Sequence, residues 1–381
     1  MGPLKGIRAI ELCGIGPGPF CGMMLSDMGA DVIAVDRPGT PTQPTAPGQR
    51  NRRRLLLDLK QDAGRAAVLR LVEHADVLFE GFRPGVMERL GLGPDLLLAR
   101  NPRLVFGRMT GWGQHGPLAQ AAGHDLNYIA LAGALAGIGR TGEKPVPPLN
   151  LIGDFGGGGM LLAFGIVCAL LEAQRSGRGQ VVDAAMVDGA VALMSMFMGA
   201  SALPESSCER PGTHPLSGAA HYYDTYETRD GKFISIAALE PQFYATLIDK
   251  LDLSRDEFGP FCATGKCGLD TDAWARLKDK LAALFLTRTR DEWCALLEGS
   301  DACFAPVLGL SEAPTHPHNR ARQNFVDVAG SVQNAPAPRF SATPTQNPQP
   351  PLDSIADLEV LLRAWQLPGA DIAAIIGAAK N

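Results

Sequence analysis

The chain lacks the basic excess that a nucleic-acid binder carries: 35 Lys and Arg stand against 40 Asp and Glu, a net charge of −5 over 381 residues. It also lacks a C-x-x-C pair. The 8 cysteines, Cys13, Cys21, Cys168, Cys208, Cys262, Cys267, Cys294 and Cys303, are scattered. Cys168 and Cys294 fall inside apolar helical patterns, which suits a reducing compartment. The opening residues MGPLKGIRAIELCG run straight into a strand-like stretch, without the roughly 7 to 15 apolar residues of a secretory signal. A cytoplasmic location is expected. Long apolar runs are missing too: the longest uncharged one, Phe155 to Leu171, stops short of the roughly 20 residues of a membrane span and starts with glycines. A second stretch, Ala184 to Pro204, is broken by Asp188. Both read as buried helices, so neither a membrane nor a nucleic acid is expected as a partner.

What is present is ample apolar material. Hydrophobic residues make up 46% of the chain, enough for a core in each of two domains at roughly 150 residues per domain. The 44 glycines and 29 prolines follow no collagen-like period and point to many tight turns. Up to about residue 110, strand and helix signals alternate: IRAIEL, the turn GIGPGP, FCGMMLSDMGA, DVIAVD, RRRLLLDL, AAVLRLVEHA, DVLFEG and RLVFGRM. Short apolar strands separated by amphipathic helices imply a mostly parallel sheet covered on both faces. Apolar helices are expected over Met160 to Ala173 and Asp183 to Ala200.

The domain reading follows from these shifts in pattern. Residues 1–200 form a large Rossmann-like domain, and the turn-rich 201–221 a linker. Residues 222–320 form a smaller α+β domain that opens with a hairpin turning at Arg229-Asp230-Gly231 and continues with helices over Phe243 to Leu251, Trp274 to Phe285 and Asp291 to Leu297. Residues 321–381 return to the large domain through the proline-rich 331–351, expected to be extended, and end in a helix over Ile355 to Trp365.

Three sets of residues bear on chemistry. Gly14, Gly16 and Gly18 follow a strand, open a helix and precede Asp36 at the end of the next strand, which imitates a dinucleotide fingerprint. Pro17 and Pro19 stand where backbone N–H groups would be wanted, so a tight turn is the better reading and nicotinamide binding the weaker one. Arg37, Arg50, Arg52, Arg53, Arg54, Lys60 and Arg83 gather near strand ends, where the guanidinium fork suits phosphate, although each alone is as readily a surface ion pair. His124, Asp154 and Glu240 are the candidate acid–base groups. Asp154 stands before a glycine run and an apolar helix, placed to cap it and leave bare N–H groups. Each of the three, alone, is equally readable as structural.

At these residues the sequence closely resembles the α-methylacyl-CoA racemases, a branch of the family III CoA-transferase superfamily. The resemblance runs from about Leu4 to beyond Phe325. It is carried by ELCGIGPGPFCGMML, VDRPG, RRLLLDLK, ERLGLGP, NPRLVFGRMTGWGQ, AGHDLNYIALAG, PPLNLIGDFGGGG, GRGQVVDAAMVDG, YDTYETRDGKF, LEPQFY and DACFAPVL, all in one order. The resemblance implies a Rossmann-like large domain, a smaller domain and an interlocked homodimer with each active site between two chains. It implies a racemase interconverting (2R)- and (2S)-2-methylacyl-CoA thioesters through an enolate. His124 and Asp154 would be the acid–base pair, and Glu240 of the second chain would orient the imidazole.

For the CoA portion the resemblance brings in Arg37, Leu57, Asp58, Leu59, Lys60, Gly123, Asp125, Leu126, Asn127 and Tyr128, with Arg83 matched less specifically. No metal and no cofactor are expected, CoA being part of the substrate. Methionines Met186, Met194, Met196 and Met198, read as one helix, would face the acyl chain or pack in the core. Because the transferases of the superfamily use the position matching Asp154 as a nucleophile, a family III CoA-transferase is the alternative. The segment THPLSGAAHYY, Thr213 to Tyr223, departs from the usual pattern and leaves the acyl group open.

Overall fold

The structure is a computed structural model and describes residues 2–12, 14–198, 208–258 and 271–379. Cys13, Cys262 and Cys267, residues 199–200 and residues 201–207 of the expected linker lie outside the described residues. The chain divides into two units: one from 1–132, 149–193 and 317–381, the other from 133–148 and 194–316.

In the first unit the expected alternation takes the form β1 (Arg8–Leu12), α1 (Pro17–Asp27), β2 (Asp31–Asp36), β3 (Arg53–Leu56), α2 (Asp62–Val72), β4 (Val77–Glu80), α3 (Val86–Arg89), α4 (Pro94–Arg100), β5 (Val105–Thr110), α5 (Asp125–Leu131), α6 (Leu161–Ser176), β6 (Val181–Ala185) and α7 (Met186–Leu193). All six strands are parallel, in the order β3-β2-β1-β4-β5-β6. That is the doubly wound order, with the switch point between β1 and β4, where an open sheet binds its ligands.

Strand residues alternate between two cores. Ile10, Leu12, Ile33, Val35, Leu55, Leu78 and Phe106 bury one face of the sheet under Val68, Leu71 and Leu97. Ala9, Val32, Val77, Phe79, Val105 and Met109 bury the other under Leu25, Leu162, Ile166 and Ala169. A sheet covered on both faces explains why its strands read as continuous apolar runs.

Two helical expectations are corrected. The run expected as a helix from Asp183 begins instead as β6, paired with β5 at Phe106 opposite Val181. Helix starts only at Met186 and breaks at Met194, before α8 (Ser195–Met198). A short apolar run suits strand and helix alike until its partner is known. The methionines therefore do not share one helix.

The second correction concerns the start of α6. It is preceded by a continuous π-helical segment, Leu151–Met160, so Asp154 lies within a helix and does not cap one. The glycines after it serve close packing. A Cβ on Gly189 of α7 would come within 1.9 Å of the Gly157 carbonyl oxygen, and one on Gly157 within 2.7 Å of Ala190 N. Together the two segments make a helix from Leu151 to Ser176, long and apolar enough by length and composition to cross a membrane. One face of it is buried on the sheet, whereas Met160, Phe164, Val167 and Leu171 are exposed, so it is not the fully buried helix expected.

The second unit holds β7 (Tyr223–Glu227), β8 (Phe233–Ala237), α9 (Pro241–Lys250), α10 (Arg255–Phe258), α11 (Thr271–Phe285), α12 (Arg290–Leu297) and β9 (Phe304–Pro306). The hairpin turns through Gly231, and β9 adds antiparallel to β8. Ile234, Ile236, Leu247, Leu281, Phe285 and Trp293 form its core. Residues 133–148 belong to this unit: Thr141 Oγ1 donates to the Gly212 carbonyl at 2.6 Å, and Arg140 pairs with Asp224.

The returning stretch contributes α13 (Pro317–Ala321), the antiparallel pair β10 (Phe325–Val328) and β11 (Ser331–Asn334), α14 (Ile355–Ala364) and α15 (Gly369–Ala379). After the prolines, Leu352 exchanges backbone hydrogen bonds with Arg52 and Arg54, 2.8 Å each. Leu358, Leu361, Leu362 and Trp365 of the last helices then enter the first core. The segment is fastened by Arg50, fully buried, which donates to Asp27 on α1 and also to Gln333 and the Asn334 carbonyl at 3.1 and 2.9 Å.

Candidate active site

Two cavities open at the C-terminal ends of the strands. The first, about 580 Å³, is walled by the loops after β1 (Gly14 to Gly18), β4 (Gly81 to Pro84) and β5 (Gly111, Trp112), and contains His124, Asn150 and Asp154. It sits at the switch point. The second, about 860 Å³, is walled by the ends of β2 and β3, with Arg37, Leu57, Asp58, Leu59, Lys60, Arg83 and Arg89.

Asp154 is positioned from three directions. Its backbone N–H donates to the buried carboxylate of Asp125 at 2.7 Å, and Asn150 Nδ2 donates to its Oδ2 at 3.3 Å. On the third side stands Gly16, at φ 70° in the N-cap position of α1. A Cβ there would lie 3.2 Å from Asp154 Oδ2, so both the backbone angle and the close approach call for glycine. Burial pushes the Asp154 carboxyl above its ordinary range, the Asn150 hydrogen bond offsets part of this, and Asp125 raises it further while His124 lowers it.

His124 occupies the N-cap of α5, its N–H accepted by Asn127 Oδ1 at 3.1 Å. Its side chain is exposed. Behind it, Tyr128 OH donates to the Gly123 carbonyl, and Trp112 stacks edge-on against Tyr128 with ring centroids 4.8 Å apart. Gly123 and Tyr128 line the first cavity, whereas Asp125 is buried behind it and Leu126 and Asn127 are exposed. Glu240 lies in the second unit, exposed at the N-cap of α9.

Apart from Arg53, half-buried and 3.9 Å from Asp31, the basic residues fall into two sets, which corrects the grouping expected from sequence. Arg50, Arg52 and Arg54 are buried and already paired, with Asp27, with Glu11 at 3.2 Å and with Asp36 at 2.8 Å. They hold the sheet together and are not offered to a ligand. Both Arg54 contacts fall on Oδ2 of Asp36. Arg37, Lys60, Arg83 and Arg89, by contrast, are exposed around the second cavity and form no ion pair among the described residues. Four cations around one cleft suit a polyanionic ligand.

Arg89 and Asn150 escaped the sequence reading. Asn150 stands four residues before Asp154 in PPLNLIGD, a spacing that brings two side chains together only once the segment is known to be helical. No group of three His, Cys, Asp or Glu able to hold a metal occurs among the described residues.

The sequence profile of CoA-transferase family III matches residues 4–354. Over 343 residues, 90% of this chain and 87% of the relative, the chain is 46% identical to α-methylacyl-CoA racemase of Mus musculus. It matches the Homo sapiens racemase at the same identity and coverage. A CAIB/BAIF family protein from Brucella suis superposes with a TM-score of 0.78 at 26% identity, covering 96% of this chain and 100% of that one.

Proposed function

The chain belongs to CoA-transferase family III, and from that premise we propose that it is a racemase interconverting the (2R)- and (2S)-epimers of 2-methylacyl-CoA thioesters. The observation that carries the reading is the pairing of His124 and Asp154 in one cavity of a chain 46% identical to the mouse and human racemases. A nucleophilic transferase needs only the carboxylate. Inverting a carbon beside a thioester needs one group on each face of a planar enolate, one taking the proton and the other returning it.

In this scheme His124 serves one face and Asp154 the other, with roles exchanged according to the epimer bound. Burial raises the Asp154 carboxyl above its ordinary range, which moves it toward a group that can return a proton as well as take one. The enolate oxygen is stabilised by the Gly123 backbone N–H, the neighbouring His124 N–H being taken by Asn127. Arg37, Lys60, Arg83 and Arg89 receive the phosphates of CoA, which anchor the thioester carbon in the neighbouring cavity. The reading calls for no cofactor beyond the thioester itself.

The functional form is an interlocked homodimer in which Glu240 of the second copy orients the His124 imidazole. The exposed apolar residues Met160, Phe164, Val167 and Leu171 along one helix support burial against another chain. Sedimentation analysis would return twice the 40.3 kDa chain mass.

The test is to incubate a single epimer with the protein in D₂O, without an acceptor acid, following deuterium at C2 and epimer composition together. Deuterium uptake with convergence of the epimers is the expected result. Acyl transfer to an added carboxylate, without exchange, would assign Asp154 as a nucleophile and the chain as a transferase.

Asn150→Ala gives a second check. Removing the hydrogen bond that lowers the Asp154 pKa lets it rise further. Asp154 is then deprotonated only at higher pH, so the acidic limb of kcat/KM for the epimer it deprotonates moves to higher pH. An unshifted limb would separate Asn150 from Asp154.

A further inference from the structure

Gly81, Phe82 and Arg83 line both cavities, so the loop between β4 and α3 is the wall that divides them. Three charges stand at its foot, two of them buried and Glu88 exposed. Glu80, the last residue of β4 and 1% exposed, accepts the Phe82 N–H at 2.6 Å and Arg108 Nε at 3.2 Å. Arg108 lies directly opposite Glu80 on β5 and is itself 6% exposed. Its two terminal nitrogens donate to Glu88 on α3, at 2.9 and 3.3 Å.

The sequence neighbours of these contacts give them their meaning. Phe82 precedes Arg83, and Glu88 precedes Arg89, so each acid holds the backbone next to one of the cations of the second cavity. The far side of Arg83 is held as well, because the Pro84 carbonyl accepts from Gln120 Nε2 at 3.2 Å. We infer that Glu80, Arg108 and Glu88 form a positioning network that sets the guanidinium groups of Arg83 and Arg89 for the phosphates of the CoA thioester. The inference rests on the acyl-CoA reading of the two cavities.

Glu80 borders the first cavity, yet both of its oxygens are engaged, so it acts through the loop and not on the reacting carbon. Burial pushes its carboxyl up to about 7, with the Phe82 N–H and Arg108 holding it lower. Charges buried at such cost are commonly replaceable by apolar residues where stability alone is at stake. Their place beneath two ligand-facing arginines supplies another reason for them.

The experiment is a pair of double-mutant cycles, Glu88→Ala with Arg89→Ala and Glu80→Ala with Arg83→Ala. Its readouts are kcat and KM for 2-methylacyl-CoA, and Kd for CoA by calorimetry. Glu88→Ala is expected to raise KM and Kd roughly tenfold while kcat stays within about twofold, and to add less than about twofold once Arg89 is already Ala. Glu80→Ala behaves likewise toward Arg83, and Glu80→Gln, which keeps an acceptor for the Phe82 N–H, recovers part of the loss. A general structural role would give the same factor in both backgrounds.

Additive effects, unchanged KM, or a fall in kcat alone would overturn the inference. Should Glu80→Ala not fold, the cycle at the partly exposed Glu88 still decides. A wild-type protein that does not bind CoA would remove the acyl-CoA reading and the inference together. One that binds CoA but shows no coupling would remove only the inference.

Discussion

His124→Ala should abolish racemisation and yet keep half of the exchange chemistry. Losing a positioned acid–base group costs on the order of 10² to 10⁴ in rate, and inversion needs both groups. The two epimers will not suffer equally. The one whose C2 hydrogen faces Asp154 can still be deprotonated and take deuterium back on the same face, whereas its mirror form presents the hydrogen to an empty site. The expected result is therefore deuterium uptake with retention from one epimer and almost none from the other, read by mass spectrometry after chiral separation. Asp154 remains held by Asp125 and Asn150 in this variant, because neither contact passes through the imidazole. Equal loss from both epimers, or normal racemisation, would refute the two-sided assignment.

The largest effect on stability is expected at Arg50. Its guanidinium is fully buried, pairs with Asp27 and serves Gln333 and the Asn334 carbonyl as well. Arg50→Ala leaves the buried Asp27 carboxylate without its cation, with only Asn51 still donating to it, and the Gln333 amide oxygen without the Arg50 donor, which costs about 3–5 kcal/mol. In thermal unfolding this corresponds to a fall of roughly 10 °C for a unit of this size.

The sign of the pH dependence is a further check. Burial already raises the Asp27 carboxyl, and Arg50 is the largest of the influences that hold it lower, with Arg52 and Asn51 adding to it. Without Arg50 the folded state binds the Asp27 proton more tightly than the unfolded chain does, so the variant recovers stability as pH falls and is weakest at neutral and alkaline pH. Arg50→Met combined with Asp27→Leu should restore much of the loss, since an apolar pair leaves no buried charge behind. If the double variant were as unstable as Arg50→Ala, packing and not charge would be the cause.

Legibility in the sequence tracked the range of the interaction. The first five strands of the large sheet, the hairpin through Gly231 and the extended return before Leu352 were readable because short apolar runs and turn residues are local signals. His124 and Asp154 were singled out through the resemblance of the strings around them, and the structure brings them to one cavity. The fate of the arginines was not. Arg54 and Asp36 meet because β3 lies beside β2, and Arg108 meets Glu80 because β5 lies beside β4. Nothing in RRRLLLDL distinguishes an arginine turned into the protein from one turned to a ligand until strand order is known. The same holds for GQVVDAAMVDG, where β6 and α7 share one apolar run, and for the glycines after Asp154, whose purpose appears only when α7 is laid against them.

The first unit is closed by residues made long after the sheet they cover. Val68, Leu71 and Leu97 and the sheet face beneath them share their core with Leu358, Leu362, Trp365 and Ile375, some 260 residues downstream of β5. At roughly 5–20 residues per second, a ribosome leaves that apolar face incomplete for tens of seconds, together with the buried Arg50 whose partners Gln333 and Asn334 have yet to emerge. The nascent chain must in that interval be shielded or remain open, so the demand this architecture places on the cell is greatest during synthesis, before any substrate is met.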